Sequence, residues 1–212
     1  NVTGVQTCAL PIWLTAPIVA AGSIAKQLIR RSGMEVSAFS RSIGGIIDDE
    51  DRSIADATGS RAFATRACTE ELDAAMERNI ISASSDGDSV GGVVECITTG
   101  LPIGFGGIWF EAIDSEIAGA VFSIPACKGV EFGRGFGLAG MRGSESNDPF
   151  FVKDGIKCRT NNMGGILGGM SDGAPMVFRA VFKPTPSIAK PQRTVDIKMM
   201  ENTEVSVEGR HD

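Results

Sequence analysis

The 212-residue sequence contains no tyrosine and a single histidine, His211. A histidine-rich metal centre is thereby excluded within this chain. No apolar run reaches 18 residues, so no helical membrane span is expected. The five cysteines (Cys8, Cys68, Cys96, Cys127, Cys158) are odd in number, widely spaced and form no CxxC. That pattern fits reduced thiols and a cytoplasmic setting. Walker A is missing, as is a GxGxxG with a following acid, and no GxSxG elbow occurs. Simple P-loop, dinucleotide and serine-hydrolase readings therefore lack their motifs. The formal net charge is -6, which argues against a nonspecific nucleic-acid or acidic-membrane partner.

What the sequence does have is glycine, 27 residues in all. The densest stretch runs from Arg159 to Ser187, with Gly164, Gly165, Gly168 and Gly169 in six positions. Two readings are open for it: a nest of backbone N–H groups for an anion, or a glycine-rich hairpin. An apolar strand from Met176 to Phe182 follows and delivers Lys183 into a Pro-Thr-Pro-Ser turn.

Residues 1–13 (NVTGVQTCALPIW) carry no charge and resemble translated sequencing-adapter read-through. They are expected to be a non-native leader, with 14–212 as the domain; a signal peptide is the rival reading. A helix is predicted from Thr15 to Arg31, with Ile18, Gly22, Ala25, Leu28 and Ile29 on one face and Lys26 and Arg30 outside. Met34 to Phe39 alternates as a strand, and Asp48 to Ser60 reads as surface loop. Thr69 is the expected N-cap of a helix to about Ala83, with Leu72, Met76 and Ile80 as its buried stripe. Strand Gly91–Thr98, helix Phe110–Phe122 and a strand beginning at Val130 follow. Residues 133–149 lack periodicity and read as a long lid or mobile segment. A strand–turn–strand spans Phe150–Arg159, and strands are expected over Thr194–Met199 and Glu204–Val207. Recurring helix–strand units imply a layered α+β fold.

Arg134, Arg142, Arg159, Arg179, Lys183, Arg193 and Arg210 are the candidate anion binders. Asp86 and Asp88 are close enough for a divalent ion, but no third acid has suitable spacing, so no metal is expected. Asp86–Gly92 reads more simply as a turn opening a strand.

Six ordered segments resemble the chorismate synthase family: GDSVGGVVE (Gly87–Glu95), KGVEFGRGF (Lys128–Phe136), RGSESND (Arg142–Asp148), RTNNMGGILGGMSDGAP (Arg159–Pro175), FKPTPSIAKPQRTVD (Phe182–Asp196) and GRHD (Gly209–Asp212). The resemblance covers about Ala20 to Asp212. It implies a β-α-β sandwich in a homotetramer. It also implies a carbon–oxygen lyase that converts 5-enolpyruvylshikimate 3-phosphate to chorismate and phosphate, with reduced FMN and no net redox change. On that resemblance Pro125 and Ala126 are a backbone flavin contact, and Gly168 is a second. Lys183, Pro184, Thr185, Pro186 and Ser187 hold the FMN phosphate and ribityl chain, and Arg210 is a further contact. Asp212 is the catalytic acid near flavin N5. Arg134 is a looser substrate or anion contact, and Asp88 and Ser89 shape the adjoining pocket. The family's GESHG-like and GRSSAR-like segments are not found here, so these 212 residues alone are expected to turn over little or not at all. An inactive derivative that keeps the flavin and anion loops is the alternative. An NADP-dependent flavin reductase is a third reading.

Overall fold

In a computed structural model the backbone of residues 4–207 is described, with side chains from residue 15. The chain opens with helix α1 (Gly4–Arg31). A Gly33 turn leads into strand β1 (Glu35–Ile43), and Gly44-Gly45 folds back into β2 (Ile46–Ile47). Short helix α2 (Ile54–Gly59) and longer helix α3 (Glu70–Ser85) precede β3 (Gly92–Thr99). Helix α4 (Ile113–Phe122) and β4 (Cys127–Phe132) come next. The one-turn helix α5 (Gly143–Ser146) is followed by hairpin β5 (Phe150–Val152) and β6 (Ile156–Cys158). A tight hairpin β7 (Ile166–Leu167) and β8 (Met170–Ser171) leads to β9 (Met176–Phe182). Hairpin β10 (Gln192–Asp196) and β11 (Glu201–Val205) ends the described chain.

Five strands form one antiparallel sheet in the order β2-β1-β3-β9-β4. Strand β9 lies inside it, between β3 and β4, although its nearest neighbours in sequence are loops. Side chains alternate between the two faces of a strand. On β9, Met176 packs with Ile113 of α4 and Ile166 of β7. Val177 packs from the other face with Phe39, Ile97 and Ala57 of α2. The sheet is therefore covered on both faces, and Arg179 and Phe182 point to opposite ones. The helix-and-sheet layering agrees with the α+β, β-α-β sandwich expected from the sequence.

Several elements differ from expectation. Residues 48–60 are not plain surface loop. Ser53 and Asp56 form a reciprocal capping box that starts α2. Asp48 is 2% exposed and takes a two-pronged ion pair from Arg52, with both N···O distances 2.8 Å. Ala57 is buried against Phe39 and Ile97 of the sheet, and the buried Ser60 donates its hydroxyl to the Ala57 carbonyl at 2.9 Å, which makes the segment structural.

The buried side of α1 is also not the one its spacing predicts. Of the expected face, Ile18, Gly22, Ala25 and Leu28 are exposed and Ile29 is half-buried, whereas Lys26, expected outside, is also half-buried. Lys26 lines a cavity with Ala38 and Val94, and burial there pulls its ammonium below the usual lysine range.

Residues 133–149 are ordered by local turns rather than left as one open lid. A 3-10 helix spans Gly135–Gly140 and α5 follows. Asp148 then fastens the segment: its carboxylate accepts from the Asn162 N–H (2.8 Å), the Met163 N–H (2.9 Å) and the Thr160 hydroxyl (2.6 Å). The C-terminal hairpin is shifted as well. Its turn occupies 197–200 and its second strand starts at Glu201, not Glu204.

Candidate functional site

The glycine-rich stretch resolves into the hairpin alternative. Gly168 and Gly169 have φ of 58° and 85° and form the two-residue turn between β7 and β8, the conformation that suits a tight hairpin. Gly165 lies against the chain at Pro175, where a Cβ would sit 2.6 Å from the Pro175 carbonyl oxygen. Packing thus accounts for Gly165 and Gly169, and the left-handed turn conformation for Gly168. Gly168 itself is exposed, with open space where a side chain would be.

The strongest local assembly is at the other end of β9. Lys183 donates its backbone N–H to the Ala126 carbonyl at 3.0 Å. Ala126 adopts φ 70°, a left-handed turn in the link between α4 and β4, immediately before Cys127. Pro125 and Ala126 are thereby placed beside Lys183, and all three are exposed. Among the described residues, Lys183 forms no ion pair.

The turn after Lys183 is tied to the loop before β3. Ser89 donates its hydroxyl to the Thr185 carbonyl at 2.7 Å. Gly91 crosses under Phe182 and Pro184 so closely that a Cβ would stand 2.6 Å from the Phe182 carbonyl and 2.9 Å from Pro184 Cδ. Lys190 closes the arrangement through an ion pair with Asp88 at 2.9 Å and a backbone bond to Gly87 at 3.1 Å. The Lys190 ammonium and the Ser89 N–H hold the Asp88 carboxyl below the usual range. Gln192 donates to the Pro186 carbonyl at 2.9 Å.

Between this turn and α3 lies a cavity of about 620 Å³. Its apolar wall includes Ile43, Ile80 and Phe182; its polar lining includes Asp88, Ser89, Thr185 and Ser187. Ile80, expected in a buried stripe, is 39% exposed because it faces this cavity. Recessed apolar wall plus a few convergent hydroxyls is the usual character of a small-molecule site.

Not every candidate residue is gathered here. Gly168 lies beside the N-terminal end of α4: its neighbour Gly169 accepts from the Ile113 N–H at 3.0 Å. Ala126 lies past the C-terminal end of the same helix. Ten residues of helix separate the two by about 15 Å. Arg134 is on the opposite face of the sheet, lining a second cavity with Arg179, Asn161 and Asn162. Arg210, His211 and Asp212 lie outside the described residues. The ties from Ser89, Lys190 and Gln192 to the turn have little local signal in the sequence, since each spans a fold rather than a motif. Among the described residues no group of acids, cysteines and histidine is arranged to hold a metal ion, and no helix is long and apolar enough to cross a membrane.

Comparison with known proteins gives one consistent result. The family model described as chorismate synthase matches residues 13–212. A chorismate synthase of Thermococcus kodakarensis is 47% identical over 200 residues, covering 94% of this chain and 55% of the relative. One from Archaeoglobus fulgidus is 48% identical over 202 residues, covering 93% and 55%. A solved chorismate synthase structure superposes with a TM-score of 0.77 at 32% identity, covering 82% of this chain and 56% of that one. The chain spans about half the length of the curated relatives it matches. With the family model matching nearly all of its length, the chain belongs to the chorismate synthase family.

Proposed function

We propose that the chain is the flavin-holding part of a chorismate synthase, a lyase that eliminates phosphate from 5-enolpyruvylshikimate 3-phosphate to give chorismate. The observation that carries this reading is the bond between Lys183 and Ala126. It joins two segments, far apart in sequence, that the family resemblance marks separately as flavin contacts.

The residues present fit FMN. A phosphate monoester needs a cation and hydroxyl donors, and this segment carries the exposed Lys183 followed closely in sequence by the half-buried Thr185 and Ser187. Pro184 and Pro186 fix the path of the turn, so little ordering is left for the moment of binding. Reduced FMN, when bound, supplies the electron-rich centre that this elimination requires. Lys183 and the hydroxyls orient it through its phosphate end, and Pro125, Ala126 and Gly168 give it exposed backbone. On the family resemblance Arg210 would add a further cation, and Asp212 would be the carboxyl group placed to exchange a proton near flavin N5.

The wider reading is a homotetramer in the cytoplasm. The apolar residues that α1 leaves exposed are compatible with burial in such an assembly, and the four described cysteines are all unpaired. The test is a flavin-fluorescence titration of the 212-residue chain. Saturable binding of FMN that weakens in Lys183→Ala supports the reading; failure to bind FMN at all contradicts it.

A further inference from the structure

The cavity between α1 and the turn at residues 61–66 plays no part in the flavin reading. It holds about 400 Å³, within the range of small-molecule sites. It lies along the outer edge of β1, which β2 covers only at Ser42 and Ile43. Ala38, Phe39 and Val94 give it an apolar wall. Lys26, Arg61 and Arg66 supply its charge, and among the described residues no acid lines it.

These cations have no counter-ion. Among the described residues none of them forms an ion pair, and the side chains of Lys26 and Arg61 make no hydrogen bond. Lys26 is half-buried, and burial first and Arg61 second hold its ammonium below the usual lysine range. Glu35 is the acid that acts on Lys26, and it offsets less than either Arg61 or Arg30 contributes. Withdrawing an ammonium from water without a partner is costly, and the neighbouring guanidinium adds to the cost. The arginine side is pinned from two directions. Arg66 has φ 63°, in the left-handed region that non-glycine residues seldom adopt. The Ser40 N–H donates to the Arg66 carbonyl at 2.9 Å, and the Ser40 hydroxyl donates to the Thr65 carbonyl. The Thr65 N–H and hydroxyl donate to the Asp73 carboxylate of α3 at 2.8 and 2.6 Å. Arg66 Nη1 donates to the Arg61 carbonyl at 2.7 Å, and among the described residues its other guanidinium donors are unused. Backbone strain that the surrounding fold holds in place, beside charge that the fold leaves unmatched, points to a ligand.

We propose that this cavity binds a diphosphate group, free or carried by a nucleoside. Lys26 meets it from α1 as a point charge, and Arg61 and Arg66 meet it from the turn through charge-assisted hydrogen bonds. Charge favours a diphosphate over a single phosphate. A phosphate monoester carries about −1.5 to −2 at neutral pH, short of what Lys26, Arg61 and Arg66 together can match, and a second phosphate makes up the difference. The cavity adjoins the one beside the flavin turn, since Ser40 and Val94 line both, but Lys183 does not line it.

Isothermal titration of the 212-residue chain in metal-free buffer tests it, with pyrophosphate, ADP and orthophosphate as probes. Saturable binding of pyrophosphate or ADP is expected, at least about tenfold tighter than that of orthophosphate; the tighter of the two shows whether the group is taken free or on a nucleoside. That binding should weaken at least about tenfold in Lys26→Met and in Arg61→Gln, and stay unchanged in Lys183→Ala. Neither Lys26 nor Arg61 has a side-chain partner to lose among the described residues, so the fold should tolerate each change. A bound ligand raises the melting temperature of the parent chain, and Lys26→Met should lose that rise. No saturation by pyrophosphate or ADP up to about 10 mM overturns the proposal. So does orthophosphate that binds as tightly, or binding that persists in both cation variants or disappears in Lys183→Ala.

Discussion

Ser89 holds Thr185 in place across 96 positions of sequence: its hydroxyl donates to the Thr185 carbonyl at 2.7 Å. The loop before β3 and the turn after β9 are thus one structural unit, although each reads locally as an independent turn. Ser89→Ala removes this bond. A loss of about 1 kcal/mol in unfolding free energy is expected from denaturant titration, with a weaker flavin complex because the turn is less fixed. An unchanged midpoint would show that the bond does not hold the turn.

Gly91 is required by the same junction. A methyl group there would meet the Phe182 carbonyl at 2.6 Å, and backbone has little room to yield. Gly91→Ala should destabilise the chain by about 1–3 kcal/mol, the usual range for overpacking, seen as a lowered melting temperature.

Arg179 stands between Glu95 and Glu131 in the sheet register, one on each neighbouring strand. Arg179→Ala leaves Glu95 buried with only Arg41, 3.7 Å away. Removing one partner of a buried pair costs about 3–5 kcal/mol, and the remaining arginine should keep the loss near the lower figure. Glu95→Gln/Arg179→Met should recover part of it in the same denaturant assay.

Asp148 should contribute to acid sensitivity. Burial alone would raise its carboxyl, but bonds from Thr160, the Met163 N–H and Asn162 outweigh burial and hold it below the usual carboxylate range. A depressed folded-state pKa adds stability that is full above the unfolded value of about 3.9 and is lost as pH falls through the folded value. In stability measured against pH, Asp148→Asn should lower the plateau near neutrality and flatten the acid limb. An acid limb identical to that of the parent would contradict this.

The sequence was most legible where one signal dominates. Thr69 caps α3 as its position predicts, accepting from the Leu72 N–H, and Met76 is fully buried. Strands β3 and β9 follow from β-rich apolar runs between turn residues. Helix α2 is not legible because Asp48–Ser60 looks charged and polar, and its order comes from one buried ion pair and a capping box. The buried side of α1 is not legible because periodicity shows that a helix has faces, not which neighbour covers them. Arg134 is the instructive case at the site: its place in a glycine-rich loop gives no hint that it lines a cavity with Arg179 and not the one lined by Phe182, Thr185 and Ser187. That separation depends on strand order and on residue parity along β9, both long-range properties.

In the proposed function the Lys183 turn holds the phosphate end of FMN. The most direct measurement compares FMN with riboflavin, which lacks the phosphate, on the chain and on Lys183→Ala. The parent chain should prefer FMN, and the variant should lose about 1.5–3 kcal/mol of FMN affinity, roughly 10- to 150-fold, with riboflavin affinity unchanged. Equal losses for both flavins, or an FMN preference that survives in Lys183→Ala, would contradict it.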